Sequence, residues 1–340
     1  MRTLQKAPDE PGSASDQTPA KVALAPADKS GRLGSVFADA AFRSVIMACA
    51  ISVVAIVGLI VFELVTASEL SRHKFGFTFL VKSVWDPVRD EYGALPVIYG
   101  TVVSSLLALL LAVPLSLGTA LFITDICPRR LRSLLSTCVE MLAAIPSVIY
   151  GLWGIFVMVP FLRIYVAPWL RKYLGWTGFF EGPMFGVSML AAGVILAIMI
   201  LPIIASITRE VIMAVPQQQR EAAMALGATR WEMLRVAVLR NARTGIFGAV
   251  VLGLGRAMGE TMAVTMVIGN TPQISRSLFA PGYTLASVMA NQFSEAVGAI
   301  HTSALVELGL VLFVVSMVVN ASAQVLVWSV TRGMPARNIA

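Results

Sequence analysis

Residues 187–207 read VSMLAAGVILAIMILPIIASI, a run without one charged side chain. Wound as a helix at about 1.5 Å per residue it is roughly 31 Å long, the thickness of a bilayer's hydrocarbon core, about 30 Å. Apolar residues follow one another without the alternation a barrel strand needs, and a helix satisfies its own backbone in lipid. Working outward, five more runs of this kind occupy 43–66, 98–123, 134–161, 244–269 and 302–330. Pro114, Pro146 and Pro202 fall inside such runs, where neighbouring helices can satisfy the backbone groups a proline frees. The expected fold class is therefore all-α, with six transmembrane helices.

The composition of the 340 residues agrees. Hydrophobic residues make up 57% of the chain and charged ones 13%, with a mean hydropathy of +0.80. A soluble chain carries about a quarter charged residues to cover its surface. This one has too few, which excludes a cytosolic enzyme, a secreted disulfide scaffold and a disordered protein together. Cys49, Cys127 and Cys138 have no C-x-x-C spacing, and His73 and His301 stand far apart, so neither a disulfide framework nor a metal site is expected. The 16 methionines are scattered through apolar runs as core filler.

Lysine and arginine exceed aspartate and glutamate by 26 to 19, a net charge of +7. In a soluble protein this would suggest nucleic acid; in a membrane protein basic residues hold loops on the cytoplasmic side. With the N-terminus inside, seventeen basic residues fall in inner segments and eight in outer ones. The expectation is both termini in the cytoplasm and no nucleic-acid partner. Residues 1–42, rich in Pro, Ala, Ser and Lys before the first apolar run, are expected to form a disordered cytoplasmic tail; they are too long and mixed for a signal peptide. The apolar membrane body is expected over 43–332, followed by a short cytoplasmic tail at 333–340.

Two constellations carry function. The first is the inner loop 208–243, far longer than a turn between antiparallel helices needs. Pro216 suits a helix start, residues 217–226 are strong helix formers, and Gly227 suits a stop. Thr229 followed by Glu232 is a capping-box pattern, after which Trp231, Leu234 and Val238 recur on one helical face. A helix–glycine–helix element of this kind either docks another protein or lies on anionic lipid.

The second is Gly253-Leu254-Gly255-Arg256-Ala257-Met258-Gly259-Glu260 in the fifth run. Arg256 lies 12 residues beyond Thr244, roughly 18 Å along the helix and near the bilayer middle. On a continuous helix Glu260 shares its face and lies within reach. An ionised side chain at that depth costs at least about 2.5–3.5 kcal/mol, so it lines a pathway or is paired. The pair reads either as a salt bridge that helps helices stack or as an anion relay, in which a planar five-donor guanidinium grips an oxyanion and Glu260 neutralises the empty site. Glycines 253, 255 and 259 let a helix or a substrate approach closely. Glu140 reads as a pathway group or a carboxylate paired within the bundle, and Asn320 as polar contact between helices. The chain has no G-x-x-x-x-G-K-[ST] phosphate cradle, so it is not expected to hydrolyse ATP.

Glu221-Ala222-Ala223 with Gly227 resembles the E-A-A-x-x-x-G signature of permease subunits of ABC importers. The family's later I-x-L-P is Ala237-Val238-Leu239-Arg240 here, so only the leucine matches. Residues 253–264, and 140–151 (EMLAAIPSVIYG), resemble the corresponding stretches of phosphate-specific permease subunits. Together with the loop, the resemblance covers most of 43–332. It implies a type I ABC importer permease fold in the bacterial inner membrane, carrying inorganic phosphate. Arg256 and Glu260, with Glu140, would line the path, while Glu221, Ala222, Ala223 and Gly227 would couple it to an ATPase. The implied partners are a second homologous permease, two copies of a cytoplasmic ATP-binding subunit, and an external phosphate-binding protein, with lipid around them. No cofactor is expected on this chain, ATP being used by the partner. Alternatives that remain are a permease for another oxyanion such as sulfate or molybdate, an ion-coupled carrier without an ATPase, and a membrane anchor with no pathway of its own.

Overall fold

The computed structural model describes residues 29–182 and 185–331, with side chains for 41–182 and 185–329. The helices are α1 (Lys29–Ala67), α2 (Glu69–Phe75), α3 (Thr78–Val81), α4 (Leu95–Leu121), α5 (Arg129–Ala143), α6 (Ser147–Trp153), α7 (Val159–Phe161), α8 (Ala167–Leu174), α9 (Met189–Met213), α10 (Gln217–Ala225), α11 (Arg230–Met233), α12 (Arg240–Met258), α13 (Met262–Val267), α14 (Leu285–Gln292) and α15 (Ala299–Thr331). No strand occurs among the described residues, only an isolated bridge between Asp86 and Glu91. Six helical runs are long and apolar enough to cross a membrane: 41–67, 95–126, 147–177, 189–213, 230–258 and 299–329. Wide π turns continue α4 to Ile126, link α6 through α8, and join α11 to α12.

The chain divides into two units, residues 1–59 and 60–340. The described side chains of the first, 41–59, are all exposed. Helix α1 begins at Lys29, inside the stretch 1–42 expected as a tail; residues 1–28 and the tail at 333–340 lie outside those described.

In the second unit α9 is the central helix. Buried residues run along it from Met189 to Ile212, and it packs on α4 and α12. Small residues make this contact close. Gly245, Ala249 and Gly253 recur every four residues on α12, and Ala249 is fully buried. A methyl on Gly253 would lie 2.6 Å from Ile204 Cδ1, and one on Gly245 would lie 2.5 Å from Val211 Cγ1. Beside Pro202, where the chain lacks a donor, Ser116 Oγ donates to Leu201 O at 3.0 Å and ties α4 to α9. Packing of this quality, not hydrophobicity, is what distinguishes helix from lipid contacts, because lipid is as apolar as leucine.

The third expected run, 134–161, is divided in the structure. Helix α5 stops at Ala143, Pro146 takes an extended ψ of 138°, and the apolar helix starts afresh at Ser147. Proline cannot donate, and it pushes the residue before it out of the helical region. The Tyr150 hydroxyl donates to Leu142 O at 2.8 Å across the break. Opposite the α10 end, Phe79, Trp85, Tyr92, Tyr283 and Leu305 form a separate aromatic cluster. Trp85 Nε1 donates to Gln292 Oε1 at 2.8 Å, and Tyr92 stacks on His301 with ring centroids 5.5 Å apart. Burial first, then the neighbouring Asp90, pushes the Tyr92 hydroxyl up to about 12.

Candidate functional site

The fifth run departs from a continuous helix at the point that carries its charges. Helix α12 ends at Met258, Gly259 takes φ −91° and ψ 1°, and α13 begins at Met262. Arg256 is exposed on the last turn of α12, where a cation suits the negative helix end. Glu260 is buried beyond the break, and its Oε1 accepts from Ala263 N at 3.5 Å at the start of α13. Among the described residues no ion pair joins them. The four-residue spacing that puts two side chains on one face holds only while the helix lasts, and here the helix has ended. The expected Arg256–Glu260 pair is therefore not formed: one is presented outward, the other is held inward.

The glycines divide similarly. Gly253 seats α9, and a methyl on Gly255 would lie 3.8 Å from Asn320 Nδ2 of α15. Asn320 thus sits beside α12, but its Oδ1 is buried and unpartnered, so the proximity is not shown to be the polar tie expected. A methyl on Gly259 would meet only Gly255 O, at 3.7 Å, and the glycine is exposed at the break.

Glu140, at the end of α5, is paired. Arg209 Nη2 on α9 lies 2.8 Å from Glu140 Oε1; the arginine side chain is 15% exposed and the carboxylate 53%. Arg209 is thus the partner of Glu140, yet the sequence presents it only as one of several loop cations. No local spacing links residues 69 apart.

The helix–glycine–helix element is present as expected. Pro216 caps α10 with ψ 135°, one position before the helix proper. Gly227 takes φ +84°, with no atom near a built Cβ. Its N–H donates to Met224 O and that of Ala228 to Ala223 O, so the last carbonyls of α10 are satisfied. The Thr229 capping box is complete: Thr229 Oγ1 accepts from Glu232 N, and Glu232 Oε2 accepts from Thr229 N at 2.8 Å. Leu234 and Val238 are buried against Ile212 and Val215. Trp231, expected on the same face, is instead 63% exposed, and Leu226 and Met224 are exposed too. No residue of α10 is buried; Glu221, Ala222 and Gly227 are exposed and Ala223 half-buried.

Polar ties hold this uncovered helix to the bundle. Arg220 Nη1 lies 2.5 Å from Asp125 Oδ1 at the end of α4, with the two side chains 19% and 12% exposed. Arg220 Nη2 donates to Ile212 O of α9 at 2.9 Å. Asn241 Nδ2 of α12 donates to Gln219 Oε1 at 2.7 Å. Asp125 was not legible as a partner, being 95 residues away.

Six apolar helices, a charged residue exposed where the fifth of them ends, and an uncovered helical element at one end are the parts of a membrane-transport subunit. The chain belongs to the family of binding-protein-dependent transport system inner membrane components, whose profile matches residues 112–332. It is 47% identical over 307 residues to the phosphate transport system permease protein PstC of Mesorhizobium japonicum, covering 88% of this chain and 94% of that one. It is 45% identical over 285 residues to the protein of the same description from Haemophilus influenzae, covering 83% and 90%. Among solved structures, an inward-facing MetNI methionine ABC transporter chain aligns with a TM-score of 0.49 at 19% identity, over 72% of this chain and 96% of that chain.

Proposed function

We propose that this chain is the PstC-type permease subunit of an ATP-driven importer of inorganic phosphate, supplying half of the path through the membrane. The observation that carries the reading is its similarity, over most of its length, to relatives described as phosphate transport permeases. The geometry supplies the groups such a role needs. Arg256 is exposed at a break in an apolar helix, and a guanidinium offers planar, bidentate donation to a phosphate oxyanion. Because Glu260 is buried on Ala263 N and no carboxylate pairs with Arg256 among the described residues, the guanidinium needs no such partner displaced before an anion can reach it. Nothing is chemically transformed on this chain. ATP hydrolysis belongs to a pair of partner ATPases seated under loop 208–243, with a second permease completing the path and an external binding protein delivering phosphate. In this reading the bacterial inner membrane holds the chain, with the N-terminus and α10 on the cytoplasmic side, and a rocking of the two permeases exposes Arg256 to each side in turn.

Purification from membranes tests the assembly: the chain is expected to come out with an ATPase and a second permease, and recovery of the chain alone contradicts it. Competition tests the substrate. Unlabelled phosphate blocks labelled uptake and sulfate does not; the reverse result assigns a different oxyanion.

A further inference from the structure

A helix that buries none of its side chains cannot pass a push to its neighbours through apolar packing, since there is no interdigitated surface to carry it. Helix α10 comes close to this position: none of its side chains is fully buried, and its apolar contact is limited to the half-buried Ala223 and the neighbouring turn 234–239. Its directional side-chain ties to the bundle are polar, and Arg220 makes two of them. One arm of its guanidinium pairs with Asp125 at the end of α4, 2.5 Å away. The other donates to Ile212 O near the end of α9 at 2.9 Å. One fork therefore grips the ends of the two helices whose contact forms the centre of the fold.

The socket that receives Arg220 is itself braced. Asp125 sits in the π turn that finishes α4. Its second oxygen accepts from Thr124 Oγ1 at 2.8 Å, and Thr124 O accepts from Arg132 of α5. Both members of the pair are largely withdrawn from solvent. A largely buried pair is screened little and costs much when one partner is removed, because the other charge is left stranded.

We propose that the Arg220–Asp125 pair is the mechanical link through which displacement of α10 moves α4 and α9. Arg220 and Asp125 are positioning residues for transport: they touch neither anion nor nucleotide. The proposal rests on the reading of loop 208–243 as the coupling element and assigns the residues that transmit its motion. It differs from a docking role, because Arg220 and Asp125 face the bundle while Glu221 and Ala222 face outward.

The test uses the complete importer reconstituted in vesicles, reading phosphate uptake, ATP hydrolysis and the amount of ATPase that co-purifies. Arg220→Glu and Asp125→Arg are each expected to retain the ATPase and basal hydrolysis, while uptake per ATP falls about tenfold or more. Asp125→Asn, of equal size, guards against misfolding and is expected to lower the ratio in the same direction. The double variant Asp125→Arg with Arg220→Glu restores an attractive pair and is expected to recover most of the lost ratio, which a merely structural defect at either residue would not do. Unchanged uptake per ATP in all three single variants overturns the proposal. So does loss of the ATPase from the purified complex, which would make the pair a docking determinant, or a double variant no better than the singles. Failure of the underlying coupling reading shows differently: Glu221→Lys and Gly227→Asp would then transport normally, whatever the pair does.

Discussion

Arg256 and Glu260 stand four residues apart without pairing, the first exposed at the end of α12 and the second buried before α13, with Gly259 breaking the helix between them. Among the described residues the arginine therefore has no carboxylate at ion-pair distance. Charge exchange between the two positions, Arg256→Glu with Glu260→Arg, should not restore uptake lost in either single variant. Recovery in the exchanged protein would mean the two groups pair during transport after all.

Glu260→Gln separates the two residues further. Its carboxylate accepts from the first turn of α13, so the neutral amide should weaken that helix start by about 1 kcal/mol or less. The expected outcome is a lower unfolding temperature with uptake reduced only a few-fold. Complete loss of uptake in a stable Glu260→Gln protein would assign the glutamate to the path itself.

At the coupling element, Gly227→Asp and Glu221→Lys should stop uptake while the chain still inserts. Gly227→Ala isolates the backbone contribution. Nothing lies near the added methyl, so the cost is that of φ +84° for a residue with a Cβ, about 1–2 kcal/mol. Thermal unfolding of the purified complex measures it, and no change would mean the αL cap is not retained.

The ion pair between α5 and α9 should respond asymmetrically. Glu140→Gln leaves Arg209, 15% exposed, without its partner; Arg209→Gln leaves Glu140, which is 53% exposed and solvated. The first is expected to cost about 1–3 kcal/mol and the second less than about 1 kcal/mol from loss of the charge interaction. A double-mutant cycle on unfolding temperature reads the difference, and equal losses would contradict it.

Close backbone approaches predict a ranking. A methyl on Gly100 would run into the carbonyl oxygen of Tyr283, while one on Gly253 meets the end of the Ile204 side chain. Backbone cannot yield as a side chain can, so Gly100→Ala should destabilise by about 3 kcal/mol and Gly253→Ala by about 1 kcal/mol. The reverse order of unfolding temperatures would show that α4 moves away from Tyr283 easily.

Much of this fold was legible because lipid is a demanding solvent: runs such as 187–207 have no other use, and the caps at Gly227 and Thr229 follow from local chemistry alone. The break after Met258 was not. The sequence there remains apolar on both sides, and four-residue spacing suggests a pair where the backbone turns away. Pro146 carried a true signal that membrane helices often override, and here it was not overridden. The pairs Arg209–Glu140 and Arg220–Asp125 lie beyond any local reading, because they exist only once α4, α5, α9 and α10 have packed. Trp231 followed the period of an apolar face, yet the π turn after Met233 shifts that period and leaves it outside.

The central claim is that Arg256 is the group through which this chain passes phosphate. Labelled phosphate uptake by the complete importer carrying Arg256→Gln tests it most directly, with co-purification of the ATPase showing that the complex still assembles. The expected result is an assembled complex with uptake lost and no sulfate uptake gained. Phosphate uptake at the wild-type rate in that variant would contradict it.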